Sequence, residues 1–161
     1  MRSVASSNEE LITRFYAALD ARDGETMAAS YAPDAHFSDP VFTDPSGSEP
    51  GAMWRMLCGR SNDLRVEADE VEADDDRGSA HWVARYTFST GRPVVNDIRA
   101  TFLFRDGLIA AHTDVFDLNW AKQAIGGPAL IPVVGPALMK PVVRRQAAGQ
   151  LRAFLVEQAS R

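Results

Sequence analysis

The 161 residues carry 17 Lys and Arg against 22 Asp and Glu, a formal charge of −5 that excludes the basic face a nucleic-acid partner needs. With 45% hydrophobic and 24% charged residues, the chain has the make-up of an ordinary globular protein long enough for a real core. The single cysteine, Cys58, rules out an internal disulfide and fits a reducing compartment.

The segment 1–8 is short and polar, so no secretory signal is expected. Residues 7–10 (SNEE) read as a helix start, with Ser7 or Asn8 as cap and acids in the first turn. Leu11, Ile12, Phe15, Tyr16, Ala18 and Leu19 then recur at helical spacing as a wide apolar stripe. Asp23-Gly24 ends that helix; a second is expected over 25–31, closed by Ala32-Pro33-Asp34. A short strand over 35–39 runs into Asp39-Pro40, and residues 43–51 are loop by composition. Residues 52–59 read as a third helix carrying Met53, Trp54, Met56 and Leu57.

Alternating segments follow at 63–74, 80–89 and 94–104, separated by turns at 74–78 and at Gly91-Arg92-Pro93. On the second, Ala80, Trp82, Ala84, Tyr86 and Phe88 share a face; on the third, Val94, Asn96, Ile98, Ala100, Phe102 and Phe104 do. Arg105-Asp106-Gly107 then turns the chain into a last strand, on which His112, Asp114 and Phe116 line up together. An imidazole and a carboxylate beside a phenyl ring are unusual for a mere core face, and they point to the lining of a pocket. A helix over 118–125 is stopped by Gly126-Gly127-Pro128. Residues 128–141 form an apolar connector, too short and too broken by Pro and Gly to span a bilayer, and 141–158 read as a last amphipathic helix. Helices first and a meander of strands afterwards make an α+β fold, with helices packed on one face of a curved mixed sheet.

Three pieces, RFYAALDARD (14–23), AHFSDP (35–40) and TGRPVVNDIRATFLFRDGLIAAHTDVFD (90–117), resemble the nuclear transport factor 2-like superfamily in their order and spacing. That superfamily is the cone-shaped fold of ketosteroid isomerase, limonene epoxide hydrolase and SnoaL-like polyketide cyclases. The resemblance covers residue 8 to about residue 127, which suggests a domain over 1–127 and an appended connector and helix over 128–161. It implies a deep, mostly apolar pocket for a small hydrophobic molecule, in agreement with the polar pair on an apolar face.

Asp39 matches the general-base position of the isomerases, in the same Asp-Pro setting, and a carboxylate in an apolar cavity has a raised proton affinity. Asp-Pro also starts turns, as Asp44-Pro45 does. Asp114 matches the position of the acid that protonates the epoxide oxygen in the hydrolases, and His112 can orient or tune it, or act as the base itself. Asp114, His112 and Asp39 are therefore the candidate catalytic residues. Phe15, Trp54, Trp82, Tyr86, Ala100, Phe102, Phe104, Phe116 and Trp120 are the candidate wall of the pocket. No metal is expected, since His112 and Asp114 lack a third and fourth ligand, and no cofactor. The run 67–76, with seven acids, is expected to be a solvated edge and turn, and Cys58 a small buried apolar side chain.

The departures bear equally on function. The isomerases hold the enolate oxygen with a tyrosine on the first helix and a protonated aspartate on a strand; Phe15 and Ala100 stand at those positions here. Tyr16 lies about 100° further around the helix and is no simple substitute. Without that oxyanion site, ketosteroid isomerase activity is not expected. The arginine and second aspartate of the epoxide hydrolases fall on His81 and Val83 when counted back from Thr90 without gaps. That count would turn His81 and Arg85 inward, whereas hydrophobic alternation turns Trp82 and Tyr86 inward; burying the aromatics decides for the alternation.

Three roles follow: a cofactor-independent cyclase, isomerase or hydrolase working through pocket carboxylates, a non-catalytic binding module with the same pocket, or a homodimer through the outer sheet face around Leu103, Thr113 and Val115. The expected partners are a small hydrophobic ligand and a second copy, with neither nucleic acid nor membrane, in a cytoplasmic protein.

Overall fold

The computed structural model of the chain describes residues 3–126 and 136–161, with side chains in the second segment described from residue 141. The helix α1 (Val4–Asp20) begins earlier than expected, because the Ser3 hydroxyl accepts from the Ser6 amide and so caps it. Asn8, read as a cap, is instead buried; its side chain donates to the carbonyls of Asp74 and Asp75 and ties α1 to a strand turn. The apolar stripe from Leu11 to Leu19 is buried as expected.

The short helix α2 (Gly24–Ala29) is capped by Asp23 and packs closely on α3 (Glu49–Arg60). A Cβ on Gly24 would stand 2.7 Å from the Arg55 Cα, so glycine is what lets the two backbones approach. Between these helices, β1 (Tyr31–Ser38) is longer than expected, and Tyr31 opens the strand where the sequence suggested the end of a helix. Pairing decides it: Tyr31 is in parallel register with Ile109, and the Ile109 amide donates to the Ser30 carbonyl. Pro33 is tolerated because β1 is an edge strand.

The remaining strands are β2 (Arg65–Ala73), β3 (Arg77–Thr87), β4 (Pro93–Arg105) and β5 (Leu108–Val115). They form one five-stranded sheet in the order β1-β5-β4-β3-β2, with β1 and β5 parallel and the other neighbours antiparallel. The β4–β5 turn carries positive φ at both Asp106 and Gly107, the backbone a two-residue hairpin demands. On β3 the alternation holds: Ala80, Trp82 and Ala84 are buried, Tyr86 is half-buried, and His81 and Arg85 lie on the other face. The inner face of the sheet is covered by α1, which lies along β2 and β3, and by α3, which packs on β1.

After the sheet, α4 (Asn119–Ile125) rests on β4. The last helix, α5 (Pro136–Ala159), packs on α3 through Ala147 and Leu151, so part of its apolar stripe is covered by its own chain. Residues 136–140, expected in the connector, are already helical, and 127–135 lie outside the described residues. Among the described residues no helix is long and apolar enough to cross a membrane.

Candidate functional site

The inner faces of β5, β1 and β3 bring together side chains that the sequence keeps apart. His112 and Asp114, two residues apart on β5, are both buried, at 1% and 2% exposure. The imidazole Nε2 lies 2.9 Å from Asp114 Oδ1, and its Nδ1 lies 2.8 Å from the hydroxyl of Tyr31 on β1. That hydroxyl accepts from Trp54 Nε1 at 2.8 Å, which leaves its own proton for His112 Nδ1. His112 Nε2–H then points at Asp114 Oδ1, where Trp82 Nε1 also converges at a long 3.4 Å. Two N–H groups aimed at one oxygen suit an ionised carboxylate. Both contacts fall on Oδ1, so Oδ2 has no donor among the described residues.

Aromatic rings enclose this relay. Phe102 lies 4.4 Å from the imidazole by ring centroids, Phe37 meets it edge-on at 4.9 Å, and Phe15 edge-on at 5.6 Å. Trp54 and Tyr31 stack at 6.3 Å and 6.2 Å. Burial, opposed by the Trp54 hydrogen bond and reinforced by the Asp114 charge, holds the Tyr31 phenol well above its ordinary range, so it keeps its proton.

Tyr16 stands apart. Its ring lies 5.2 Å from that of Trp82 and its side chain is 2% exposed, yet its buried hydroxyl has no hydrogen-bond partner. Burial first, then the charge of Asp114, raise its proton affinity well above the ordinary value. Asp39 follows β1 and is half-buried; Oδ1 accepts from the amides of Val41 and Phe42 at 2.7 Å and 2.5 Å. Burial pushes this carboxyl up to about 7, against the two amide bonds, with the Asp114 charge raising it further and Arg144 lowering it.

The expected wall residues differ in how near they lie to the pair. Phe15, Trp54 and Phe102 touch the imidazole, Trp82 reaches Asp114, and Ala100 is the cross-strand partner of Asp114. Phe104 lies one ring away, stacked on Phe102 at 6.0 Å. Tyr86 and Phe116 are half-buried at the margin. Trp120 is not among the rings that meet His112; it pairs with Phe88 at 6.2 Å, because α4 rests on β4. Tyr31 went unrecognised in the sequence because Pro33 reads as a helix stop, although Tyr31, Ala35 and Phe37 share odd positions and are all buried.

Two surface concavities are lined wholly by described residues, and neither touches His112 or Asp114. One, of about 220 Å³, runs between α5 and the loop after Asp39, bounded by Val41, Phe42, Pro45, Arg144, Leu151 and Leu155. Arg144 Nε donates to the Pro40 carbonyl at its edge. The other lies on the outer surface of α1. On the outer sheet face, His81 bridges Asp69 and Asp97 at 2.7 Å and 2.9 Å, and Glu70 beside it pairs with Arg99. Cys58 is buried next to Met27, as expected of a small apolar side chain.

The family model of the SnoaL-like domain matches residues 12–112, and the chain belongs to that family. Solved structures share its fold. An LEH-like epoxide hydrolase of M. tuberculosis aligns with a TM-score of 0.65 at 20% identity, over 78% of this chain and 94% of its own. A candidate polyketide cyclase from Xanthomonas campestris pv. campestris aligns at 0.65 and 22% identity, over 76% and 99%. TerC, co-crystallised with polyporic acid, aligns at 0.63 and 20% identity, over 73% and 97%. No curated protein matches the sequence.

Proposed function

We propose that the chain binds a small hydrophobic molecule in its aromatic interior and acts on it by cofactor-independent acid–base chemistry. Asp114 exchanges the proton with the ligand through Oδ2. His112 holds Oδ1, and the relay to Tyr31 and Trp54 fixes its tautomer. Asp39, with a proton affinity near neutrality, is the second carboxylate. The observation that carries this reading is the buried Tyr31–His112 relay that holds Asp114 by Oδ1 and leaves Oδ2 with no donor among the described residues. Relatives of the same fold described as an epoxide hydrolase and a candidate polyketide cyclase support it. Ketosteroid isomerase activity is outside the proposal, because Phe15 and Ala100 replace the groups that would hold an enolate. His81 and Val83 likewise provide no water-activating pair on the inner face.

A second reading, a binding module without turnover, is favoured by one fact: both imidazole nitrogens already have partners, as a purely anchoring network requires. A panel of epoxides, steroids and polyketide-like ketones offered to wild type and Asp114→Asn separates the two. The enzyme reading expects conversion of at least one compound, lost by at least about a hundredfold in the variant with binding retained. Binding without conversion by wild type, or an unchanged rate in Asp114→Asn, would sink the mechanism.

The outer sheet face supports pairing of two copies, since Val95, Leu103 and Val115 are 46%, 47% and 63% exposed there.

A further inference from the structure

The concavity between α5 and the loop after Asp39 has an apolar floor and, along α5, a cationic edge. Phe42, Pro45 and Leu151 are buried at its base, with Val41 and Leu155 half-buried beside them. Arg144 and Arg152 both line it from α5, about two turns apart, and the small Ala148 between them leaves the groove open. Arg144 uses Nε on the Pro40 carbonyl, at 3.1 Å, and its terminal guanidinium nitrogens bond nothing among the described residues. Arg152 has no hydrogen-bond or ion-pair partner among the described residues. The two acids of the lining are engaged instead: Asp44 lies 3.2 Å from His36 Nδ1, and Glu49 Oε1 accepts from the Ser46 amide at 3.4 Å. The donors left over are therefore guanidinium N–H groups, which are shaped for a carboxylate.

We propose that this groove is a second binding site, for a small carboxylic acid with an apolar body, its ring or chain lying on Phe42 and Leu151 and its carboxylate held by Arg152 and the terminal nitrogens of Arg144. The volume of about 220 Å³ sets the size, since pockets for drug-sized ligands begin at roughly 300 Å³. An aryl or short-chain acid fits; a steroid does not. Five of the lining residues, Arg144, Ala148, Leu151, Arg152 and Leu155, come from α5, beyond the residues 12–112 matched to the family. The groove touches neither His112 nor Asp114, so the site is independent of any chemistry in the aromatic interior.

The probes that test this are 2-naphthoate and 2-naphthylmethylamine, alike in ring and opposite in charge, titrated into the full-length chain and followed by backbone amide NMR. The expected result is that 2-naphthoate shifts the amides of Thr43 and Leu151 and the amine shifts neither. Arg152→Gln is expected to bind 2-naphthoate about fivefold more weakly, the worth of one partly exposed charged pair. Arg152 is exposed and without a partner, so the variant keeps the Tm of wild type. Ala148→Trp, which fills the groove from the exposed side of α5, is expected to abolish the shifts. Amine binding at the same amides, undiminished affinity in Arg152→Gln, or unmoved Thr43 and Leu151 amides at millimolar 2-naphthoate overturns the proposal. Shifts confined to His112 and its neighbours would likewise overturn the groove site, while supporting the interior one.

Discussion

His112 and Asp114 are separated by one residue on β5, and their side chains meet at 2.9 Å while almost wholly withdrawn from solvent. Residues two apart on a strand share a face, so the pair is local in origin. Its burial is not local. Phe15 from α1, Phe37 from β1, Trp54 from α3 and Phe102 from β4 close around the imidazole. The hydrogen-bonded pair is therefore formed by the strand and enclosed by the fold.

The hydroxyl of Tyr31 links two buried nitrogens. Tyr31→Phe leaves Trp54 Nε1 and His112 Nδ1 without their partner, and a stability loss of about 2–4 kcal/mol is expected from two unmet groups. Urea unfolding measures it. A loss well under 1 kcal/mol would mean that water replaces the hydroxyl.

The close approach at Gly78 gives a packing test independent of the site. A Cβ there would meet Phe104 at 2.8 Å, Ile12 at 2.9 Å and the Glu72 carbonyl at 3.1 Å. Gly78→Ala is expected to cost about 1–3 kcal/mol by overpacking, read as a lower urea midpoint with an unchanged slope. A neutral substitution would show that α1 can slide off β3.

Asp39 gives a pH signature of definite sign. Its proton affinity rises from 3.8 to about 7 on folding, so the folded chain binds that proton more tightly than the unfolded one. The stabilisation is complete below pH 3.8 and is lost as pH rises through about 7. Asp39→Asn keeps an oxygen for the Val41 and Phe42 amides but does not titrate. Relative to wild type, the variant should therefore gain stability between about pH 4 and pH 7 and hold a constant difference above about pH 8. Unfolding midpoints across that range test it, and a difference that stays flat throughout would refute the shifted carboxyl.

The proposed pairing of copies through the outer sheet face is tested by charge. Val115→Lys, at a position 63% exposed in the single chain, should leave the far-UV spectrum intact and shift light-scattering mass from dimer to monomer. A wild type that is monomeric at micromolar concentration removes that interface from consideration.

The sequence by itself determined the α+β class and the inward faces of α1, β3 and β5. Strand alternation carries face information locally, so Trp82 could be turned inward against the ungapped count, and His112 and Asp114 could be put side by side without coordinates. Helix spacing likewise settled the buried stripe of α1 from Leu11 to Leu19. What lay beyond the sequence was every relation between elements. Whether Tyr31 ends a helix or begins a strand depends on pairing with Ile109, 78 positions away, and that pairing delivers its hydroxyl to His112. The direction of Tyr16 toward Trp82 depends on how α1 lies across β3, an angle that hydrophobic spacing leaves open because adjacent positions within a wide stripe all read as buried. Position along the chain made the carboxylate and imidazole neighbours. Only the packing of α1, β1 and α3 over the sheet made them a buried relay with one oxygen and one phenol left unmatched.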